Sequence, residues 1–361
     1  MVPIRLNVNT ARTTYPVVIG PGLISQLATL VHDAGLDRDM LVVSCPPVWR
    51  RHGRSLRSFV KARPATLIAD GERAKTLASV SKIYDALIRR RVDRGGTLVA
   101  FGGGVVGDVA GFAAATYLRG IHLIQVPTTL LAQVDSAIGG KVGVNLKVGK
   151  NLVGAFHQPS LVVCDPDVLG TLPDREFRAG LYEVIKYGVI ASRPLFDRLA
   201  GSLDAVLARD SAVLAPLIAD CCRIKAEVVE KDEREAGPRR VLNFGHTIGH
   251  ALEAITQYRR FRHGEAVAYG MLAAASISVA RGRLGAGDAT RLADLVQRLG
   301  PLPPIRDLRM SEALAAIGHD KKVVAGRLHF VLAAGLGATS IVTDVQPEEL
   351  RTAMRSLGMR R

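Results

Sequence analysis

Five short apolar runs recur through the first half of the chain, at 41–44 (LVVS), 65–69 (ATLIA), 97–101 (TLVAF), 123–126 (LIQV) and 161–164 (LVVC). Each reads as a buried strand, and amphipathic segments at 77–91 and 108–117 separate several of them. That rhythm predicts a mostly parallel sheet with helices on its faces. From about residue 171 the pattern changes to long helical periods at 175–190, 214–231, 247–255, 265–279 and 289–299. The proline-rich PLPP at 301–304 is a break in this pattern rather than a linker. The expected architecture is an α/β domain over 1–170, followed by a mainly α-helical domain over 171–361. A cleft between the two is the expected site.

Composition removes several function classes. The chain has 361 residues, 48% of them hydrophobic, which is enough to bury large cores and excludes global disorder. The longest uncharged run, 266–280, is shorter than the roughly 20 residues a bilayer span needs, and it reads as a buried helix. The first ten residues lack the basic-then-apolar order of a signal peptide, and the four cysteines show no CxxC spacing, so a reducing cytoplasm is expected. The net charge of +15 admits a nucleic acid, a membrane surface or a small acidic substrate as partner. Aromatic residues are only 5% of the chain and do not interleave with the basic ones, which argues against nucleic acid. The lysines say more than the total. Only 11 of the 48 cationic residues are Lys, yet Lys141, Lys147, Lys150, Lys186, Lys225, Lys321 and Lys322 fall in or beside segments rich in Gly, Asn and His. A compact ammonium is not interchangeable with a planar guanidinium.

Three segments carry chemistry. GGGVVGD at 102–108 follows one predicted strand and opens a helical pattern, so Gly102, Gly104 and Gly107 satisfy GxGxxG. Bare backbone there would let a pyrophosphate approach a helix N-terminus. No acidic residue follows about 20 positions later to hold a ribose, so a tight strand-to-helix turn stays open as the alternative. VPTTLLAQVDSAIGGKVGVN at 126–145, with Lys150 and Asn151 after it, gathers hydroxyls, a carboxylate, lysines and asparagines amid Gly and Val. It suits hydroxyl and phosphate recognition, with a solvated hairpin as the alternative. NFGHTIGH at 243–250 places His246 and His250 four apart, so both can project from one helix face, and His263 begins the next helix. Glu183 stands among apolar neighbours in GLYEVIKYG. By spacing alone these residues make a metal or acid–base site.

Taken in order, the blocks DGERAK, GGGVVGD, VPTTLLAQVDSAIGGKVGVN, KNLVGAFHQP, TLPDREFRAGLYEVIKYG, KDEREAGPRRVLNFGHTIGHALE, HGEAVAYGM and HDKK resemble the 3-dehydroquinate synthases among the sugar-phosphate cyclases. The resemblance runs over about 70–336. It implies an NAD- and nucleotide-binding N-terminal domain and a helical domain that binds a divalent metal, zinc or cobalt. It implies Glu183, His246 and His263 as metal ligands, which departs from the spacing reading by making His250 a proton-transfer residue. Glu235 matches a second proton acceptor, and Lys141 and Asn151 join these two as catalytic positions. Substrate contacts carry over onto Arg119, Asp135, Lys141, Asn151, Lys225, Arg239, Asn243, His250 and a lysine at Lys321 or Lys322. NAD contacts carry over onto Glu72, Lys75, Gly103, Gly104, Asp108, Thr128, Thr129 and Lys150. One departure concerns the turn after the second strand, often polar with Asp or Asn in the family and here Ser44-Cys45-Pro46.

The implied reaction converts 3-deoxy-D-arabino-heptulosonate 7-phosphate to 3-dehydroquinate and phosphate, in the shikimate route to aromatic amino acids. It proceeds by transient oxidation, phosphate elimination, re-reduction and intramolecular aldol closure, with no net redox change. The implied partner is a small anionic substrate, with no nucleic acid or membrane, in a cytoplasmic homodimer. Two rivals remain at this stage: another cyclase whose substrate lacks the carboxylate, and a metal-dependent polyol dehydrogenase that accumulates NADH.

Overall fold

The computed structural model describes residues 2–60, 64–318, 323–324 and 327–361. They form two compact units, Met1–Pro173 with Asp204–Arg234, and Asp174–Leu203 with Glu235–Arg361. The expected boundary at 170/171 falls near the first crossing. The later segment Asp204–Arg234, which carries the helix Ser211–Lys231, packs with the first unit.

The first unit is built on a seven-stranded sheet. In chain order its strands are β1 (Ile4–Asn9), β2 (Thr14–Ile19), β3 (Met40–Ser44), β4 (Thr66–Leu67), β5 (Thr97–Gly102) and β6 (His122–Pro127). A separate hairpin, β7 (Lys141–Leu146) and β8 (Gly149–Phe156), precedes the last of them, β9 (Leu161–Cys164). The spatial order is β1-β2-β9-β6-β5-β3-β4. All five apolar runs lie in it, and from β2 to β4 every pairing is parallel. Residues of β5 are buried on both faces, which is why TLVAF carries no polar alternation. The antiparallel β1–β2 pair at the edge does alternate: Ile4, Leu6 and Val8 face away from Arg5, Asn7 and Asn9.

The second unit is mainly helical. The helices Asp174–Ala191, His246–Ile255 and His263–Ala280 form its centre, and the first and third are buried over most of their length. The uncharged run 266–280 lies inside the last of these. No helix among the described residues is long and apolar enough to cross a membrane. A two-stranded hairpin, Phe330–Gly335 with Ala338–Val342, completes the unit, and Ser278 Oγ accepts from the Ala333 amide at 3.0 Å.

The C-terminal helix Pro347–Ser356 is tied back by Arg281, whose guanidinium donates to both Glu349 oxygens at 2.7 Å and to Asp344 at 2.9 Å. The Arg281 hydrogen bonds hold the Glu349 carboxyl below its ordinary value of 4.5. A depressed folded-state value stabilises above the unfolded value and is lost as pH falls through the folded one. Arg281→Ala should therefore cost about 1 kcal/mol at neutral pH, a partly exposed network being worth little more. The gap between the two proteins' urea midpoints should narrow below about pH 4. A gap that widens on acidification would contradict this.

Candidate active site

Strand β5 sits where the chain reverses direction across the sheet, with β3 and β4 on one side and β6 and β9 on the other. Ligands of open α/β sheets bind beyond the strands' carboxyl ends at such a point. Here β5 runs into Gly103, the N-cap of the helix Gly104–Thr116, with no side-chain cap and no acidic residue in the first turn. The first-turn amides are therefore left for another acceptor, and the helix dipole favours an anion. A Cβ on Gly103 would stand 2.9 Å from Thr129 Cγ2, so a side chain at 103 would crowd the cradle wall. Thr128 is buried, its amide donates to Gly102 O at 2.9 Å, and its hydroxyl has no partner among the described residues. That orphaned hydroxyl fits a bound polar ligand better than a merely tight turn.

Several expected cofactor contacts converge beside this helix. Lys75 pairs with Asp108, and burial pushes the Asp108 carboxyl above the ordinary range against the pull of Lys75. Asn145 donates to Glu72 Oε1 at 2.8 Å, and Lys150 Nζ lies 3.6 Å from the same oxygen. The Asn145 amide donates to Lys75 O, and Asn145 Oδ1 accepts from the Asn151 amide at 3.0 Å, with Asn151 at a left-handed φ of 53°. In the same unit Asp135 lies on a wide helical turn, Ala132–Ser136, and Lys225 Nζ donates to its Oδ1 at 2.7 Å and to its carbonyl. Lys141 is exposed at the start of β7. Arg119 stands apart. It precedes β6, at the end of the sheet opposite Gly102–Gly104, on a left-handed turn with Leu118.

The second unit gathers the metal candidates. Glu183 and Lys186 sit one turn apart on the helix Asp174–Ala191, pair with each other, and are 0% and 1% exposed. Beyond the Lys186 contact at Oε2, neither Glu183 oxygen accepts a hydrogen bond from the described residues. Instead His246 Nε2 and His263 Nε2 stand 3.9 Å and 3.8 Å from Glu183 Oε1. The other ring nitrogen of each is already engaged, His246 Nδ1 with Phe244 O at 3.1 Å and His263 Nδ1 with Glu253 Oε2 at 3.3 Å. Burial disfavours charge on His263, yet Glu253 and Glu183 outweigh it and hold the imidazole above its ordinary value. His250 joins them, one ring nitrogen from each of the three histidines lying within 4.8 Å of the others. A buried carboxylate oxygen, Oε1, with no hydrogen bond from the described residues and faced by two oriented imidazole nitrogens fits a divalent cation. Ligand atoms about 2.0–2.2 Å from zinc need only a small contraction of these separations.

Near this cluster in sequence lies the charged loop after Lys231. Arg239 is 1% exposed, and Asn243 Nδ2 donates to Glu235 Oε1 at 2.9 Å. Lys321 and Lys322 lie outside the described residues. Two participants went unassigned in the sequence, Lys186 and Glu253. The second carried a readable signal, being an acid amid apolar residues three positions past His250 on the same helix.

A family profile described as 3-dehydroquinate synthase N-terminal matches residues 65–179, and one described as 3-dehydroquinate synthase C-terminal matches 180–323. A 3-dehydroquinate synthase of Solibacter usitatus is 44% identical over 351 residues, covering 97% of this chain and 98% of its own. Among solved structures, a 2-epi-5-epi-valiolone synthase of Streptomyces hygroscopicus with NAD+ and Zn2+ bound superposes with a TM-score of 0.85 at 28% identity, covering 97% of this chain and 98% of its own. A 2-deoxy-scyllo-inosose synthase complexed with carbaglucose-6-phosphate, NAD+ and Co2+ gives 0.87 at 27%, covering 98% of this chain and 100% of its own. On the two profiles and the near-full-length relative, the chain belongs to the 3-dehydroquinate synthase family.

Proposed function

We propose that this chain is a carbon–oxygen lyase that converts 3-deoxy-D-arabino-heptulosonate 7-phosphate to 3-dehydroquinate and phosphate, using NAD and a divalent zinc or cobalt ion. The observation that carries the reading is the buried Glu183 carboxylate, whose Oε1 accepts no hydrogen bond from the described residues and is faced by His246 and His263. Glu183, His246 and His263 would hold the metal. Glu72, Lys75, Gly103, Gly104, Asp108, Thr128, Thr129 and Lys150 would hold NAD. Bound NAD supplies a reversible hydride acceptor, and the bound ion supplies a Lewis acid.

The rest falls to the chain's own side chains. The substrate carries a carboxylate and a phosphate, and Lys141, Lys225, Arg239 and a lysine at 321 or 322 provide the cationic charge to neutralise them. Asp135 orients Lys225 through the 2.7 Å contact, so the ammonium enters binding already positioned. Asn151 and Asn243 read hydroxyls, His250 moves the proton, and Glu235, held by Asn243, is the second acceptor. Arg119 is retained as a substrate contact on the resemblance alone. The four free, buried cysteines support a reducing, cytoplasmic compartment. The homodimer rests on the family resemblance, and the partner class remains a small anionic molecule rather than nucleic acid or membrane.

Incubation of the enzyme with the heptulosonate phosphate, metal and catalytic NAD tests the assignment. Phosphate should appear in large molar excess over NAD, together with dehydroquinate absorbance, while no NADH accumulates. NADH formed in proportion to product would favour the polyol dehydrogenase instead. Turnover of a substrate lacking the carboxylate, with none of the heptulosonate, would favour another cyclase.

A further inference from the structure

The second unit has a cavity of about 590 Å³ that the reaction does not use, within the size range of small-ligand sites. One wall is the helix Asp174–Ala191, where Arg178 and Tyr182 are four residues apart and so share a face. The apolar part of the lining is Leu299 and the PLPP segment through Pro301, Leu302 and Pro303. That segment is held in place rather than loose, since Tyr269 donates to Pro303 O at 2.9 Å and Arg260 to Pro304 O at 3.0 Å.

Two of the three guanidiniums lining the cavity are committed. Arg175 is bidentate on Glu265 at 2.6 and 2.8 Å, and Arg260 is bidentate on Asp307 at 2.7 Å for both bonds. Arg178 is different. It forms no hydrogen bond or ion pair with the described residues, although it is largely buried. Gly300 makes room for it at a φ of 121°, where an added Cβ would lie 2.5 Å from Arg178 Nη1. Tyr182 is 2% exposed and its hydroxyl likewise has no partner among the described residues. A phenol hydroxyl is a hydrogen-bond donor. Glu265 is taken by Arg175 and Asp307 by Arg260; with Asp174 the carboxylates equal the guanidiniums in number, so recognition rests on the geometry of the Arg178 fork rather than on surplus charge.

We propose that this cavity binds a small carboxylate with an apolar ring or chain. The carboxylate lies against the Arg178 fork and the Tyr182 hydroxyl, and the apolar body lies against Leu302 and the prolines. A planar guanidinium matches a carboxylate with two parallel hydrogen bonds, and the proline wall rewards a ligand whose remainder sheds water. The site is independent of the reaction assigned above.

Benzoate is the probe, titrated by calorimetry into the metal- and NAD-loaded enzyme, with acetate and inorganic phosphate alongside. Benzoate should saturate at one per chain and bind more tightly than either comparison anion. Arg178→Ala should weaken it at least about tenfold, as loss of a charge-assisted contact does, with metal content and turnover unchanged. Leu302→Ser should weaken benzoate but not acetate, and this variant keeps the test open if Arg178→Ala is poorly folded. Unsaturable benzoate, benzoate binding unmoved by both substitutions, or phosphate binding as tightly as benzoate would each overturn the proposal.

Discussion

His263→Ala is expected to lose its bound metal and its turnover together while keeping most of its stability. The ring is 29% exposed at its side chain, so truncation removes a partly solvated group and opens little void. What it removes from the cluster is larger: one of the two imidazole nitrogens facing Glu183 Oε1, and the partner of Glu253. Metal affinity should fall by several orders of magnitude, since a three-ligand site is reduced to two. Glu183→Gln gives a useful contrast. It should lose metal as well, but it strands the Lys186 ammonium, which is 1% exposed and paired with Glu183. Removing one partner of a buried ion pair costs about 3–5 kcal/mol, so this variant should also melt earlier. Metal analysis and thermal melts of the two purified variants separate the outcomes. Full metal occupancy in His263→Ala would remove His263 from the ligand set and move His250 into it, as the i, i+4 spacing alone suggested.

That contrast shows where the sequence was readable and where it was not. Glu183 could be picked out because an acid among Leu, Tyr, Val and Ile has few structural uses. Lys186 could not, because a lysine one turn later reads equally well as a solvent-facing end of the same helix. Its burial follows from the helix being packed on nearly every side, which a single helical period does not record. The same limit explains the helix Ser211–Lys231. Its period announced a buried face, but not that the face packs in the first unit. Strands β3, β5, β6 and β9 were legible because burial on both faces leaves mainly aliphatic and β-branched choices, and the half-buried edge strand β4 was marked by its apolar run alone. The β1–β2 pair was passed over, although Ile4, Leu6 and Val8 alternate with polar residues, because β1 at the sheet edge shows no continuous apolar run. The block 126–145 was read as either a binding loop or a hairpin. It divides between them, a helical turn carrying Asp135 and then the strand β7 carrying Lys141 and Asn145. The cavity beside PLPP left no trace, since Arg178 is an ordinary residue until Gly300 and the proline wall enclose it.

Gly264→Ala should be among the most damaging substitutions in the chain, although it adds a single methyl group next to a proposed ligand. A Cβ at 264 would lie 1.9 Å from Ala179 O, on the helix that carries Glu183. Gly270 has the same constraint from the other side, since its Cβ would lie 1.7 Å from Gly245 O, just before His246. In both cases the obstacle is backbone, so no side-chain rotation relieves it. The helix His263–Ala280 must move away, and the movement pulls His263 from Glu183 or His246 from both. Close glycine contacts therefore set the spacing of the cluster, and stability and metal binding should fail together. A loss above about 4 kcal/mol is expected, the range reserved for overpacking that a core cannot absorb. Gly287→Ala is the matched control. It lies in the helix Ala286–Arg298 with nothing within 4 Å of an added Cβ, so the same change should be neutral or stabilise by up to about 1 kcal/mol. Denaturant midpoints and metal content of the three variants decide the matter. If Gly264→Ala kept the wild-type midpoint but lost its metal, the glycine would tune ligand spacing alone. If it kept both, the helices would have slack enough to absorb a methyl group, and their close approach would not be what holds Glu183, His246 and His263 together.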